Sequence, residues 1–220
     1  MKVCTDACLF GAFVAEWLQS HQVIVRRALD IGAGTGLLSL MIAQKSDALI
    51  DAIELDQPAA EQASENFTAS PWSSRLNVLH SDAADYSADE AYDCIVSNPP
   101  FFEDDLRSSD QGKNAAKHDT GLTLDQLARS VDRNLAASGT FAVLLPYHRV
   151  ERFIKIARLH NLHLSHQVFV RHTAAHAFFR GILLFQRTDM EATKAELVIK
   201  NGESYSDSFS ALLNAYYLHL

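Results

Sequence analysis

The sequence predicts an α/β fold: a mostly parallel sheet of seven strands, helices on both faces, and an antiparallel hairpin at one edge. Three observations carry this expectation. Strand-like and helical segments alternate through the first 160 residues, the order that winds a parallel sheet. Two long strand-like runs between Leu162 and Gln186 are joined only by Arg171 to His176, too short a link for a parallel crossover. The length, 220 residues, suits one domain, read as residues 1–220.

Thr5 or Asp6 is expected to cap a first helix, and Cys8 to Leu18 is apolar almost all round, so that helix should be buried. Residues 1–20 then form a helical element capping a ligand site. Gln22 to Ile31 reads as a buried strand, Leu37 to Gln44 as a helix after a glycine turn, and Ala48 to Leu55 as the next strand. Pro58 sits where a helix can begin, and Ala59 to Phe67 continues it. Leu76 to His80 and Tyr92 to Ser97 are short strands.

Leu122 to Leu135 has Leu122, Leu127, Val131 and Leu135 along one helical side. Thr140 to Leu145 is a strand, Val150 to His160 a basic helix, and Leu162 to Val170 and Ala177 to Gln186 the hairpin strands. The tail, 194–220, adds a strand from Ala195 to Ile199 and a helix from Asp207 to Tyr217. The one long irregular stretch, Phe101 to Gly121, is expected to be a substrate loop.

Hydrophobic residues make up 48% and charged residues 21%, a balance that excludes disorder and coiled coils. With 19 Lys and Arg against 27 Asp and Glu, the net charge is -8, so contact with a polyanion must use a local patch. Cys4, Cys8 and Cys94 cannot pair evenly and form no C-x-x-C, which points to a reducing, cytoplasmic setting. No apolar run approaches the ~20 residues of a membrane span. Met1-Lys2-Val3 resembles the start of a signal peptide, but Asp6 and the lack of an Ala-x-Ala site argue against one. Six histidines, at 148, 160, 163, 166, 172 and 176, lack acid or thiol partners at ligand spacing, so no metal is expected. No feature calls for a membrane or for an obligate protein partner.

Asp30-Ile31-Gly32-Ala33-Gly34-Thr35-Gly36 follows a strand and opens a helix, where glycines let a backbone approach a ligand. A dinucleotide fingerprint would need its third glycine at 37, where Leu37 stands, which disfavours a nicotinamide oxidoreductase. Glu54 ends the next strand, 18 residues past Gly36, where a carboxylate can accept bonds from both hydroxyls of a ribose. The Asp-x-Gly-x-Gly-x-Gly pattern resembles motif I of the class I methyltransferases. That resemblance implies a Rossmann-like domain and S-adenosylmethionine as cofactor. It also implies that Asp82, just past the third strand, reaches the adenine amine. Asp30, Gly32, Ala33, Gly34, Gly36, Glu54, Leu55, Asp82 and Ala83 are the expected cofactor residues, with Asn98 at their border.

Asn98-Pro99-Pro100-Phe101 follows the fourth strand and matches the Asn-Pro-Pro-aromatic motif of methyltransferases acting on nitrogen conjugated to a π-system. An exocyclic amine is planar, its lone pair delocalised, and it carries two N–H bonds. The Asn98 side-chain oxygen and the Pro99 carbonyl can each accept one, orienting the nitrogen towards a methyl donor. Pro100 helps stiffen the acceptors, which lowers the ordering cost, and Phe101 offers a face for a base. Asn98, Pro99, Pro100 and Phe101 are the expected catalytic residues. No strong base is needed, because the methylated nitrogen is cationic and sheds its proton readily.

Over nearly its whole length the chain resembles the bacterial tRNA1(Val) adenine-37 N6-methyltransferase family. The matching segments are Met1-Lys2-Val3-Cys4-Thr5-Asp6 with the helix behind it, the glycine turn, Asn-Pro-Pro-Phe, Ala115-Ala116-Lys117-His118-Asp119, and the ending Tyr205 to Tyr217. The resemblance implies transfer of a methyl group to adenine N6 in tRNA and makes Thr5 a cofactor contact. Cys4 departs from the family's glycine in Lys-x-Gly-Thr-Asp, and the sequence begins at this motif, whereas relatives have a short preceding segment. The motif also admits a protein glutamine N5-methyltransferase, a ribosomal RNA guanine N2-methyltransferase, or a non-catalytic RNA-binding module. The first usually carries an amino-terminal helical domain, for which no room precedes Asp30, and the second is commonly duplicated.

Between His148 and Arg187 seven Lys or Arg residues accompany a single acid, Glu151. Arg149, Arg152, Lys155 and Arg158 fall three apart along the expected basic helix, giving a phosphate-contacting patch for tRNA. Lys113 and Lys117 in the substrate loop are further phosphate contacts for an unstacked base folded into the pocket.

Overall fold

The computed structural model describes residues 4–99 and 122–219. In chain order the elements are α1 (Thr5–Ser20), β1 (Arg27–Ile31), α2 (Leu37–Ala43), β2 (Leu49–Glu54), α3 (Gln57–Thr68), β3 (Leu76–His80) and β4 (Tyr92–Ser97). They continue as α4 (Leu124–Asn134), β5 (Leu135–Pro146), α5 (Val150–Leu159), β6 (His163–Arg171), β7 (Arg180–Gln186), β8 (Thr193–Val198), β9 (Lys200–Asn201), β10 (Ser204–Tyr205) and α6 (Asp207–Leu213).

The main sheet runs β3-β2-β1-β4-β5-β7-β6-β8. All pairs are parallel except β5–β7 and β6–β7. The tail strand is the one that seven-strand counting leaves out: β8 pairs parallel with β6, so the hairpin is flanked rather than marginal and the sheet has eight strands. The strand order reverses between β1 and β4, and in such sheets the crevice at the carboxyl ends of those two strands receives the ligand.

Alternate residues of the central strands face opposite layers. Ala142 and Leu144 of β5 pack with α1, α2 and α6, while Phe141, Val143 and Leu145 pack with α4 and α5. In that second layer Phe141, Phe153 and Phe185 lie 5.5–6.2 Å apart, fully buried. Burial of each such side chain is worth about 1.5–3 kcal/mol, so this cluster anchors α5 to the sheet. Thr123 and Gln126 close a reciprocal capping box that starts α4 just before its apolar side begins.

Three local expectations shift. The first helix starts at Thr5 with Cys4 as its N-cap and no side-chain cap; Asp6 instead pairs with Arg180. The first strand begins at Arg27, not Gln22. Its partner strand begins only at Leu49, so Gln22 to Arg26 has no parallel ladder, and the Asp93 carboxylate accepts the amides of Arg26 and Arg27. The last helix stops at Leu213, after which Tyr216 and Tyr217 pack onto the core from a turn. Among the described residues no helix is long and apolar enough to cross a membrane.

Candidate active site

The turn after β1 is built by backbone conformation. Gly32, Gly34 and Gly36 have φ of 71°, 58° and 82°. Side chains avoid that left-handed region, so each position selects glycine. The two ends of the turn differ, however. A Cβ on Gly36 would lie 2.4 Å from the Phe67 ring, so Gly36 also serves the packing of α3. A Cβ on Gly32 would meet nothing within 4 Å, which leaves open space over the backbone. The Gly32 and Ala33 amides donate to the Ile53 carbonyl at 2.9 and 3.0 Å and tie the turn to β2.

Asp30 is fully buried one residue before the end of β1. Its Oδ2 accepts from the Ser39 amide and hydroxyl at 3.1 and 2.8 Å, linking β1 to α2. Its Oδ1 has no partner. Burial pushes the Asp30 carboxyl up to about 6, against the pull of the two Ser39 bonds. Glu54 closes β2, where its Oε2 accepts from the Gly34 amide at 2.7 Å and its Oε1 from the Asp56 amide at 2.9 Å. Beside it Leu55 is exposed. Past β3, Asp82 is exposed and accepts from the Ala84 amide at 2.8 Å, and Ala83 is buried beneath. Thr5 is exposed at the start of α1.

Apart from Thr5, which lines a separate cavity with Asp6, His172 and Phe179, these residues stand at the carboxyl ends of four neighbouring strands, β3, β2, β1 and β4, spaced about 4.8 Å apart. The fourth supplies Asn98 and Pro99. Ser97 fixes that strand end, its Oγ donating to the Ile31 carbonyl at 2.8 Å. Asn98 Oδ1 is buried with no hydrogen-bond partner. Among the described residues six buried side-chain polar atoms are unpartnered, and four, on Asp30, Asn98, Arg149 and Arg171, lie at carboxyl ends of strands. An unmet buried acceptor costs about 1–3 kcal/mol, and two of these atoms, Asp30 Oδ1 and Asn98 Oδ1, lie on the neighbouring strands β1 and β4 where the strand order reverses. Pro100, Phe101, Lys113 and Lys117 lie outside the described residues.

The basic patch needs one correction. Arg152, Lys155 and Arg158 are exposed along α5, and Arg158 pairs with Asp189 at 3.3 Å. Arg149 does not join them: it is 6% exposed, in a short 3-10 turn between β5 and α5. The helix begins one residue later, so the three-residue spacing does not extend to it. Sequence reasoning also missed the Asp6–Arg180 pair, Oδ2 to Nε at 2.8 Å, which joins α1 to the start of β7. Burial would raise the Asp6 pKa, but bonds from Cys4 and Arg180 and the Arg180 charge outweigh it and hold the carboxyl below its usual range. The partners are 174 residues apart, and no local pattern announces them.

A protein described as a predicted O-methyltransferase from Agrobacterium tumefaciens superposes with a TM-score of 0.72 at 16% identity, covering 94% of this chain and 95% of that one. A glycopeptide N-methyltransferase complexed with S-adenosylmethionine gives 0.60 at 10% identity, covering 81% and 94%. At such identities the likeness concerns the fold, which is that of the class I, S-adenosylmethionine-dependent methyltransferases. The model of the methyltransferase small domain family matches residues 11–118. Proteins named tRNA1(Val) (adenine(37)-N6)-methyltransferase are similar along the full chain: 38% identical in Phocaeicola vulgatus and 39% in Pectobacterium carotovorum, covering all of this chain and 92% and 88% of theirs. The chain belongs to the tRNA1(Val) (adenine(37)-N6)-methyltransferase family.

The residues present fit S-adenosylmethionine. Gly32 leaves a backbone surface that a Cβ would occupy, and Asp30 Oδ1 is an unmet acceptor suited to an ammonium. Glu54 and the exposed Leu55 beside it suit a ribose and a flat ring.

Proposed function

We propose that this protein methylates the exocyclic N6 of adenine 37 in tRNA1(Val), with Asn98 and Pro99 as its amine-orienting groups. Full-length kinship with that family carries the substrate. The single structural observation that carries the chemistry is Asn98 Oδ1, a carbonyl buried without a partner where β4 meets β1. Asp30, the Gly32–Gly36 turn, Glu54, Leu55, Asp82 and Ala83 would hold S-adenosylmethionine, which when bound supplies an electrophilic methyl group on a sulfonium.

The protein's own residues then do four things. Asn98 Oδ1 accepts one N–H of the adenine amine, relieving its own unmet bond. The Pro99 carbonyl accepts the other, so the nitrogen lone pair is turned out of conjugation and aimed. Ser97 holds both acceptors against β1 through its bond to Ile31, so little reorganisation remains at reaction. Lys155 and Arg158 offer charge to the RNA backbone without reading bases. The test is tritium transfer from labelled S-adenosylmethionine to bulk tRNA, followed by nucleoside analysis. Label in N6-methyladenosine supports the reading; label elsewhere, or none, refutes it.

A further inference from the structure

A cavity of about 430 Å3 opens at the carboxyl end of the sheet but away from Asn98, lined by Thr5, Asp6, His172, Phe179, Ile199, Lys200 and Tyr205. Its size falls in the range of small-ligand sites. Its walls come from the ends of β7, β6 and β8, two to four strands from β4 and so roughly 10–19 Å from Asn98 at the usual strand spacing.

Two aromatic platforms stand in it, each held flat by a second ring. His172 and Phe179 stack at 4.2 Å with planes 7° apart. Tyr205 stacks on the buried Phe209 at 4.6 Å and 20°. Cations accompany both: Arg180 lies 5.3 Å from the Phe179 ring centre and Lys200 5.6 Å from that of Tyr205. Asp6 is neutralised by Arg180. Ile199 is buried as a floor, whereas His172, Lys200 and Tyr205 are exposed. Flat rings beside cations are a means by which proteins hold single-stranded nucleic acid, by stacking and phosphate contact.

We propose that this cavity receives a nucleotide of the substrate RNA flanking the methylated adenine, its base on the aromatic rings and its phosphate on Lys200. This rests on the tRNA reading above. The separation from Asn98 is too large for the reacting base itself and suits a neighbour along an opened loop.

Lys200→Ala, Tyr205→Ala and Tyr205→Leu, the last keeping bulk against Phe209 without a flat face, are assayed in the full chain with a tRNA1(Val) transcript. Both Tyr205 variants raise KM for tRNA about tenfold, the size of one lost base–aromatic stack. Lys200→Ala reduces the slope of log affinity against log salt by about 0.7, the value of one single-strand phosphate contact. In all three kcat and the Kd for S-adenosylmethionine stay at the wild-type value. An unchanged KM and salt slope overturns the proposal. So does a weakened Kd for S-adenosylmethionine with KM for tRNA unchanged, which would assign the cavity to the cofactor. Failure of the wild-type protein to label N6-methyladenosine is a separate result, which removes the tRNA reading itself.

Discussion

At the amino end of the sheet, polar side chains satisfy one another; at the carboxyl end, buried polar atoms wait. Asp51 on β2 accepts from Arg27, Asn77 and the Tyr92 hydroxyl at 2.8–3.2 Å. Tyr86 bonds to Tyr92 at 2.7 Å, and Arg27 also reaches Glu90 and lies over the Tyr92 ring. Burial first, then the bonds to Tyr86 and Asp51, push the Tyr92 hydroxyl far above its usual pKa, so it acts as a fixed donor. At the other end of the same strands Asp30 Oδ1 and Asn98 Oδ1 have nothing to bind. Complete networks rigidify, whereas incomplete ones store binding capacity at the expense of stability. The difference separates an end of the sheet held by its own bonds from the end that carries the candidate site.

The sharpest way to break this contrast is Asn98→Ala. It is expected to lower kcat about 100-fold, the scale of one lost transition-state hydrogen bond, while the melting temperature holds or rises because an unmet acceptor is gone. Full turnover would end the assignment. Tyr92→Phe should do the reverse: about 1–3 kcal/mol of stability lost in denaturant titration, since Asp51 and Tyr86 lose a buried partner, with kcat unchanged.

Asp30 gives a pH test. Its folded pKa, about 6, lies above its unfolded value of 3.8, so its contribution to stability is full below about 4 and is lost as pH rises through 6. An ammonium bound at Oδ1 prefers the carboxylate. The affinity for S-adenosylmethionine should therefore rise with pH, by about tenfold from pH 5 to 7. Calorimetry across that range checks it, and Asp30→Asn should flatten the curve. The smallest effect is expected at Arg158, whose pair with Asp189 is exposed on both sides: Arg158→Ala should change stability by less than about 0.5 kcal/mol. A filter-binding salt titration should lose about one unit of slope or less.

Much of the candidate site is legible in the sequence because the chemistry proposed for it depends on short, contiguous patterns. The glycine turn, the acid ending β2 and the Asn-Pro step each announce themselves within a few residues, and Leu76–His80 and Tyr92–Ser97 stand where their composition puts them. Residue spacing reports a helix face only inside the helix, so it does not reach Arg149, which lies before the helix and is buried by its neighbours in space. The first strand is shorter than its composition predicts because β-branched residues mark a propensity for strands, while a strand exists only where a partner runs beside it.

The sequence by itself determined the order of elements, the left-handed glycines and the Asn98-Pro99 step after β4, since these are local consequences of backbone sterics and hydrophobic period. Only the tertiary structure decided which polar atoms are left unpaired, that Asp6 finds Arg180, that an eighth strand flanks the hairpin, and that His172, Phe179, Lys200 and Tyr205 meet around one cavity. Those are contacts between residues far apart in the chain, and they exist only once the sheet has set its strand order and register.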